Sequence, residues 1–263
     1  MIKIIQKIVL SLLCASMFTQ LQCHDQIIQI SLIKTGSFLL SKCLNFLTGR
    51  FAMDWDQPFL PNDKHYNVTH EELIRMTSMQ PESFWFSHLY HTKEREEYFN
   101  KDHFIKIFIY RDPRDQMISF AYFMYKYNQV WPKVKELSFD EILMSMITEA
   151  SIYDNHPPAK NVFDMYQFYL PWMQAPGFLT IRFEDLIGEK GGGSSEKQIE
   201  TIKKIANHLK LTLPDEYIVY TAENIFGNSA TFREGQIGAW KKHFKPEHIK
   251  AFKENAGDLL IEL

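Results

Sequence analysis

The sequence predicts an α/β fold in which helices flank a central, mostly parallel sheet. Three runs rich in isoleucine and phenylalanine, residues 26–33, 104–110 and 178–183, have the composition of buried strands. Segments with helical periodicity or helix-capping signals separate these runs. Apolar strands that alternate with helices form parallel sheets covered on both faces, and such sheets bind ligands beyond the carboxyl ends of their strands. The residues that follow each strand are therefore the first candidates for a functional site.

Further elements follow the first strand in the first half of the chain. Residues 38–48 have helical character. Residues 54–67 contain two prolines, three aspartates and two asparagines, which predicts a loop. Thr69 and Glu72 form the capping box of a second helix, and a short strand is predicted at 83–87.

The second half of the chain continues the alternation. Pro113 suits the first turn of a helix that follows the second long strand. Ser138 and Glu141 form another capping box, for a helix near 139–149. The remaining predicted elements are a helix near 161–174, the strand at 178–183, a glycine-rich surface loop at 188–195, helices at 196–209 and 214–224, and a last helix between Pro246 and Gly257.

Composition places the chain among globular domains. Its 263 residues are 45% hydrophobic and 23% charged, which suits one globular domain and excludes disordered and collagen-like chains. The formal net charge of −3 predicts no general attraction to nucleic acids, so an anionic ligand would need a local basic pocket. Three cysteines make no disulfide framework, and no Cys/His cluster has the spacing of a zinc site. We therefore expect neither a metal cofactor nor a nucleic-acid partner.

The first 23 residues differ from the rest of the chain. Lys3 and Lys7 flank isoleucines before a short apolar run at 8–18, and polar residues follow that run. The pattern is typical of a secretory signal peptide or of an N-terminal membrane anchor, although a spanning helix needs about 20 apolar residues. We predict a signal peptide or anchor at 1–23, a single domain at 24–263, and an exported or membrane-associated protein. An ordinary N-terminal helix, with a cytoplasmic location, is the alternative interpretation.

A phosphate-binding layout follows the first strand. Lys34-Thr35-Gly36-Ser37 lies between that strand and the helix at 38–48. Gly36 lets the backbone approach an anion, the amides at the helix start attract it, and Lys34 adds a full positive charge. The complete P-loop motif, Gly-x-x-x-x-Gly-Lys-Ser/Thr, is absent, which disfavours an ordinary ATPase or kinase. The layout predicts a P-loop-like nucleotide-binding core, and an ordinary lysine–glycine turn is the structural alternative.

A second anion site is predicted where the strand at 104–110 ends. The strand delivers Arg111 to the edge of the sheet, and the planar guanidinium of arginine suits two phosphate oxygens at once. Ser119 lies in the following helix, within reach of the same edge. We interpret Arg114 and Asp115 as a local pair that holds the loop. A surface salt bridge between Arg111 and a neighbouring aspartate is the alternative.

Four segments resemble the motifs of the PAPS-dependent sulfotransferases of the cytosolic type, PAPS being 3′-phosphoadenosine-5′-phosphosulfate. In the family's order they are Lys34 to Ser37 for the 5′-phosphosulfate loop, Ile109 to Asp115 with Ser119 for the 3′-phosphate motif, Ile181 to Leu186 for the Tyr-Glu-Asp-Leu element, and Arg233 to Lys241 for the C-terminal Arg-Lys-Gly segment. The resemblance extends over residues 27 to 244. It implies a sulfotransferase that moves a sulfuryl group from PAPS to a hydroxyl or amine of a small-molecule or glycan acceptor.

The resemblance also implies which residues bind PAPS. The implied set is Lys34, Thr35, Gly36, Ser37 and Phe38 in the 5′-phosphosulfate loop, Arg111, Ser119, Arg233 and Gly235 around the 3′-phosphate, Phe183 and Thr221 around the adenine, and Glu234 beside Arg233. Lys34 would contact the bridging oxygen between phosphate and sulfate. It would therefore stabilise the charge that grows on the leaving phosphate.

The predicted general base is His88. Sulfuryl transfer requires removal of the acceptor's proton, and a histidine with a pKa near neutrality suits that task. Ser87-His88-Leu89 follows a short predicted strand and resembles the family's Thr-His-Leu-Pro segment. The predicted catalytic residues are therefore His88 and Lys34. His91 is close enough in sequence to be a rival base, and a structural histidine is the ordinary alternative.

Several positions depart from the family's pattern. Ile33 replaces the proline before the lysine, and Ala239 replaces an aspartate. Phe38 replaces the second threonine of the loop, Leu39 stands where a tryptophan often stacks on adenine, and Ala222 stands where another aromatic residue is common. A weakly active or inactive sulfotransferase-like protein that binds nucleotide is therefore an alternative, and a P-loop small-molecule kinase is a further one.

Overall fold

The computed structural model describes residues 25–53, 68–78, 83–127, 131–148, 159–227, 229 and 232–257, and the structural statements below concern these residues. The predicted signal peptide or anchor at 1–23 and the predicted loop at 54–67 lie outside the described residues, so both stay predictions. Among the described helices, none has the length and apolar character needed to cross a membrane.

A five-stranded sheet forms the centre of the described chain. Its strands are β1 Gln26–Ser31, β2 Phe51–Met53, β3 Ser83–Ser87, β4 Phe104–Tyr110 and β5 Phe178–Arg182. They lie in the order β2-β3-β1-β4-β5, and every neighbouring pair is parallel. The α/β fold with a parallel sheet, predicted from the alternation of strands and helices, is confirmed.

Helices cover both faces of this sheet. They are α1 Ser37–Thr48, α2 His70–Thr77, α3 Lys93–Phe99, α4 Pro113–Lys126, α5 Phe139–Thr148, α6 Val162–Gln167, α7 Phe183–Leu186, α8 Ser195–His208, α9 Asp215–Asn224 and α10 Pro246–Ala256. Because successive side chains of a strand point to opposite faces, β1 contributes to two separate cores. Ile28 and Ile30 pack with α4, α5, α6 and α10, whereas Ile27 packs with α1, α8 and α9.

The strand register brings the predicted functional segments to one edge. Ser31 at the end of β1 pairs with Ile109 of β4, and the preceding Ile30 pairs with Ser87 at the end of β3. The chain segments that follow these strands carry Lys34, His88 and Arg111, respectively, in the order β1, β3 and β4. The three residues therefore lie at the same edge of the sheet, where the carboxyl ends of its strands meet.

Two helices begin at the capping signals that the sequence predicts. Pro113 is the first residue of α4, and the Asp112 side chain accepts a hydrogen bond from the Arg114 N–H at its N-terminus. The Ser138–Glu141 capping box is formed before α5, where the Ser138 N–H and hydroxyl donate to the Glu141 carboxylate at 2.7 and 2.6 Å.

Three elements differ from the prediction. The helix predicted at 161–174 is interrupted, because α6 ends at Gln167 and a separate 3₁₀ turn covers Leu170–Met173. Pro171 in that turn has no N–H to continue an α-helix from the preceding turn. The strand β2 and the helix α3 were not predicted from the sequence. With three residues, β2 is too short to show a periodic pattern.

Candidate functional site

A cavity of about 180 Å³ lies at the carboxyl edge of the sheet, and we call it the sheet-edge cavity. The sequence-predicted residues that line it are Lys34, Gly36, Ser37, Phe38, His88, Arg111, Ser119, Phe183, Arg233, Glu234 and Gly235. Thr35 and Thr221 do not line it. Residues from β-strand ends, from α1 and α4, and from the C-terminal part of the chain therefore converge on one space.

The loop between β1 and α1 has an unusual backbone. Lys34 has a φ of 66° and Gly36 a φ of 105°, both in a region that residues with a side chain rarely adopt. A Cβ atom on Gly36 would lie 2.5 Å from Cδ2 of Phe183, so the position has no room for a side chain. The Thr35 hydroxyl donates to the carbonyl groups of Leu32, at 2.7 Å, and Ile109, at 3.2 Å. Thr35 thus fastens the loop to β4 instead of facing the cavity.

Two buried glutamines hold the same loop, and the sequence reading did not identify them. Gln29 of β1 donates from Nε2 to the Ser37 carbonyl at 2.8 Å, and Gln116 of α4 donates to the Ile33 carbonyl at 2.8 Å. Both glutamines are fully buried. A polar residue in the middle of an isoleucine-rich strand was the available signal for Gln29, since a buried amide requires hydrogen-bond partners.

Arg111 is held between two elements of the cavity wall. Its NH2 group donates to the Gln236 carbonyl at 2.9 Å, and its guanidinium carbon lies 4.1 Å from the centre of the Phe183 ring. The side chain is 6% exposed, and its Nε has no hydrogen-bond partner among the described residues. Arg111 is therefore a buried cation in the wall of the cavity, and one of its donors is unused.

Residues 233–240, which we call the C-terminal strap, cross the cavity beside α4. The Asp115 carboxylate of α4 accepts hydrogen bonds from the N–H groups of Gly238, at 2.6 Å, and Trp240, at 2.9 Å. The Ile237 N–H donates to the Gly191 carbonyl at 2.9 Å. Gly191 is buried, so part of the glycine-rich segment predicted as a surface loop packs against the strap.

The interpretation of Arg114 and Asp115 as one local pair is wrong. The Arg114 Nε and NH2 groups donate instead to the Asp112 carboxylate, at 2.9 and 2.6 Å. The Arg114 guanidinium also lies 4.4 Å from the centre of the Trp240 ring. Asp115 is thereby left to bind the backbone of the strap.

Arg233 of the strap pairs with its own neighbour. Its NH1 group lies 2.6 Å from Oε1 of Glu234, and its guanidinium carbon lies 4.2 Å from the centre of the Tyr122 ring. The Nε of Arg233 is buried and, like that of Arg111, has no hydrogen-bond partner in the described part of the chain. Two cationic side chains of the same cavity therefore keep an unsatisfied donor.

The ammonium of Lys34 is destabilised by its position in the cavity. Burial, together with the smaller effects of the charges on Arg111, Arg233 and Lys126, lowers the pKa of Lys34 from 10.5 to about 8. The ammonium lies 4.7 Å from the centre of the Phe123 ring. Several cations therefore face one another across a space that would favour an anion.

His88 lies at the end of β3, buried against the strand that leads into the phosphate loop. Its Nδ1 lies 2.7 Å from the Ser31 carbonyl oxygen and 3.3 Å from the Ser31 hydroxyl, and its ring meets Phe86 edge-on at 5.3 Å. The Ser31 hydroxyl also lies 2.7 Å from the hydroxyl of Ser37. Ser31 therefore connects the histidine with the first residue of α1.

The rival histidine is engaged elsewhere. Nε2 of His91 lies 2.7 Å from Oε2 of Glu96, and its ring packs against Trp172 at 4.8 Å. His91 does not line the sheet-edge cavity.

Residues 15–262 match the sulfotransferase domain family. This chain belongs to the sulfotransferase family. The family membership predicted from four short motifs is confirmed.

One curated protein and two solved structures are similar to this chain over most of its length. Sulfotransferase 6B1 of Danio rerio is 25% identical over 249 residues, which are 88% of this chain and 77% of that protein. The crystal structure of mouse sulfotransferase SULT7A1 complexed with PAP has a TM-score of 0.57 at 17% identity, over 92% of this chain and 86% of that one. The crystal structure of retinol dehydratase in a complex with retinol and PAP has a TM-score of 0.56 at 15% identity, over 93% of this chain and 85% of that one. The two structures show that the fold is that of the family.

Two members of the predicted cofactor-binding set have structural partners outside the cavity. The Thr221 hydroxyl donates to the Tyr217 carbonyl of its own helix α9 at 2.9 Å, and Thr221 is fully buried. Thr35 fastens the loop as described above. Phe183, in contrast, lines the cavity together with Ile225. The described residues contain no cluster of three or more His, Cys, Asp or Glu side chains that could hold a metal ion.

Proposed function

We propose that this chain moves the sulfuryl group of PAPS to a hydroxyl or amine of a small-molecule acceptor. The observation that carries the proposal is the pair of buried arginine Nε groups, on Arg111 and Arg233, without a partner among the described residues. A buried donor without a partner costs free energy, and the cost is larger for a charged group. Both arginines line the sheet-edge cavity, so an anion there would compensate the charges of two guanidinium groups that the protein itself leaves incompletely bonded.

The layout of the donors supports a ligand with two separate anionic groups. Lys34, Ser37 and the amides at the start of α1 form one set of donors, at the phosphate loop. Arg111 and Arg233 form a second set, contributed by the end of β4 and by the strap. PAPS carries a phosphosulfate at its 5′ position and a phosphate at its 3′ position, which gives each set its own anion.

His88 has the hydrogen-bond pattern of a general base. Because the Ser31 carbonyl can only accept, the Nδ1 atom at 2.7 Å carries the proton of a neutral ring, and Nε2 keeps its lone pair. His88 would take the acceptor's proton on Nε2 while the acceptor oxygen or nitrogen forms its bond to sulfur. As the bond between sulfur and the bridging oxygen breaks, Lys34 would stabilise the negative charge on the leaving phosphate.

The walls near His88 favour a small apolar acceptor over a glycan. Phe38 and Phe123 line the cavity together with Ile33, and Phe38 remains 37% exposed. Aromatic and aliphatic walls stabilise an apolar body, whereas a glycan requires many polar partners. Retinol, an apolar alcohol, is bound in the structure of the distant relative described above.

Calorimetric titration with PAP, 3′,5′-adenosine bisphosphate, tests the nucleotide site. We expect binding to the wild type and an affinity lower by about 10- to 100-fold in Arg111→Gln, because a charge-assisted hydrogen bond is lost. Arg182→Gln is the matched control, since Arg182 pairs with Glu184 and does not line the cavity. Loss of affinity in both variants, or no binding to the wild type, would contradict the proposal.

Transfer of labelled sulfate from PAPS to a panel of phenols, alcohols and amines tests the reaction itself. Product formation supports an active enzyme. PAP binding without transfer to any acceptor would favour the inactive nucleotide-binding protein, and thermal stabilisation by ATP but not by PAP would favour the kinase.

A further inference from the structure

The C-terminal strap carries half of the proposed 3′-phosphate site but belongs to no long helix or strand. Arg233 and Gly235 lie in irregular backbone, and the strap ends within the short 3₁₀ turn Ala239–Lys242. Irregular backbone that lines a ligand site requires tertiary contacts to keep its position. Contacts with the rest of the fold, and with α4 in particular, must therefore fix the strap.

Asp115 provides the strongest of these contacts. It lies in the first turn of α4, is 1% exposed, and uses both carboxylate oxygens, Oδ2 toward Gly238 N–H and Oδ1 toward Trp240 N–H. Hydrogen bonds from an N–H to a carboxylate are shorter and stronger than those between neutral groups. The two bonds join positions that are 123 and 125 residues apart in the sequence.

The position of Asp115 in α4 places this contact close to the residues that line the cavity. Asp115 lies one helical turn before Ser119 in α4 and four residues after Arg111, which lies between β4 and α4. Arg111 and Ser119 line the sheet-edge cavity, as do Arg233 and Gly235 from the strap. The Asp115 carboxylate therefore lies at the junction of the two halves of the site without lining it.

We infer that Asp115 is a positioning residue, whose carboxylate holds the C-terminal strap against α4 so that Arg233 and Gly235 face the cavity opposite Arg111. The inference rests on the proposed function for the identity of the ligand, but not for the contact itself. Asp115 does not touch the ligand, and its contribution to binding acts through the strap.

The buried surroundings of Asp115 affect its pKa and the consequence of replacing its carboxylate. Burial raises the pKa of Asp115, and the amides of Trp240 and Gly238 together with the charge of Arg111 oppose that rise. In Asp115→Asn the carboxamide keeps one oxygen for one of the two amides. Its NH₂ group then faces the other backbone N–H, so that a hydrogen bond is replaced by a contact between two donors.

Asp112→Asn is the matched control. Asp112 lies in the same turn, but its carboxylate binds the Arg114 side chain and N–H and makes no contact with the strap amides. Asparagine also caps helices well, so the start of α4 is conserved in this variant. The two aspartate variants thus separate the loss of the strap contact from a general disturbance of α4.

The test combines amide hydrogen exchange with nucleotide binding and kinetics. We expect the amides of Gly238 and Trp240 to exchange about tenfold faster or more in Asp115→Asn than in wild type. The increase should be much smaller in Asp112→Asn, which affects the strap only through the contact of Arg114 with the Trp240 ring. PAP should bind about tenfold more weakly to Asp115→Asn, and KM for PAPS should rise by the same factor while kcat changes by less than about threefold. A purely structural role would lower the melting temperature without this separation of KM from kcat.

The outcomes distinguish this inference from the proposed function. If the wild type fails to bind PAP, the proposed function is wrong, and the exchange rates alone decide the role of Asp115. Unchanged exchange in Asp115→Asn, or equal effects in both aspartate variants, overturns the inference. Should Asp115→Asn not fold, the wild type decides: the two amides must exchange at least about tenfold more slowly than in an unstructured chain, and unprotected amides overturn the inference.

Discussion

Nδ1 of His88 lies 2.7 Å from the carbonyl oxygen of Ser31, so the backbone of β1 fixes both the tautomer and the orientation of the imidazole. No titratable partner is needed at Nδ1 for this purpose, because a carbonyl accepts a hydrogen bond at every pH. The same serine places its hydroxyl 2.7 Å from the hydroxyl of Ser37 in the phosphate loop. Ser31 of the central strand thus contacts both the proposed base and the proposed phosphosulfate site.

Replacement of His88 should abolish most turnover and leave nucleotide binding intact. We expect kcat of His88→Asn to fall by about 100-fold or more, because general base catalysis contributes about 10²–10⁴-fold. PAP affinity should stay close to that of the wild type, since the proposed anion donors belong to other residues. Steady-state kinetics and calorimetry measure the two quantities separately.

His91→Asn is the control for this experiment. His91 is bound to Glu96 outside the cavity, so its replacement should leave kcat unchanged apart from any effect on stability. A large loss of kcat in His91→Asn with normal turnover in His88→Asn would exchange the roles of the two histidines.

Lys34→Met should make the ligand-free protein more stable near neutral pH. Burial lowers the pKa of Lys34 from 10.5 to about 8, so the folded state holds this charge less favourably than the unfolded state does. The cost is fully present below about pH 8 and disappears as the pH rises toward the unfolded value of 10.5. The shift corresponds to roughly 3 kcal/mol at most.

Urea unfolding of wild type and Lys34→Met at about pH 7 and about pH 10 measures this cost, and the difference between the two proteins should shrink at the higher pH. Lys203→Met is the control, because Lys203 forms a surface pair with Asp215. A Lys34→Met protein that is less stable than wild type at neutral pH would contradict the prediction.

The charge of Lys34 should also make PAP binding dependent on pH. A bound anion favours the protonated amine, so the affinity of the wild type should fall as the pH rises above about 8. Lys34→Met should bind more weakly, without this loss above pH 8, and its kcat should be lower by about 100-fold or more. An identical pH profile in both proteins would exclude Lys34 as the titrating group.

The positions of Lys34, His88 and Arg111 could be predicted because each follows a strand that is recognisable by its composition. Parallel strands in register bring such residues to one edge, as the pairing of Ser31 with Ile109 shows. Local signals of this kind require no knowledge of distant contacts.

The contacts between distant residues could not be predicted in this way. Arg114 directly precedes Asp115 in the sequence, and an adjacent pair of opposite charges suggests a salt bridge between them. The partner of Asp115 is the strap backbone more than one hundred residues later. Every residue except proline has a backbone N–H, so the sequence does not indicate which of them binds Asp115. Thr35 is a second example. The hydroxyl of a threonine in a phosphate loop can donate to a ligand or to a backbone carbonyl, and here it donates to a carbonyl of the neighbouring strand β4.

Gly36→Ala should damage the phosphate loop. The φ of 105° is unfavourable for alanine, and the new Cβ would lie 2.5 Å from the Phe183 ring, which packs on Arg111. We expect a loss of about 1–3 kcal/mol in the free energy of unfolding, as for other substitutions that overfill a packed site. PAP affinity should fall as well, because the ring would move against the guanidinium. Chemical denaturation and calorimetry test the two effects, and a variant with wild-type values in both would show that the loop has room for a side chain.

Glu234→Gln should tighten PAP binding. In the ligand-free protein the Glu234 carboxylate lies 2.6 Å from the Arg233 guanidinium, so a nucleotide phosphate has to displace it and also meets its negative charge. The side chains are 26% and 40% exposed, and a pair of this kind contributes at most about 1 kcal/mol. We therefore expect the Kd for PAP to fall by about three- to fivefold in Glu234→Gln, and by less in concentrated salt because exposed charges are screened.

Glu254→Gln is the control for this charge change, since Glu254 lies on α10 and pairs there with Lys250. Calorimetric titrations of the three proteins at low and high salt give the required affinities. Weaker binding in Glu234→Gln would show the opposite relationship, in which the carboxylate orients Arg233 toward the phosphate. Glu234 would then act with the cofactor-binding residues instead of competing with the ligand for one of them.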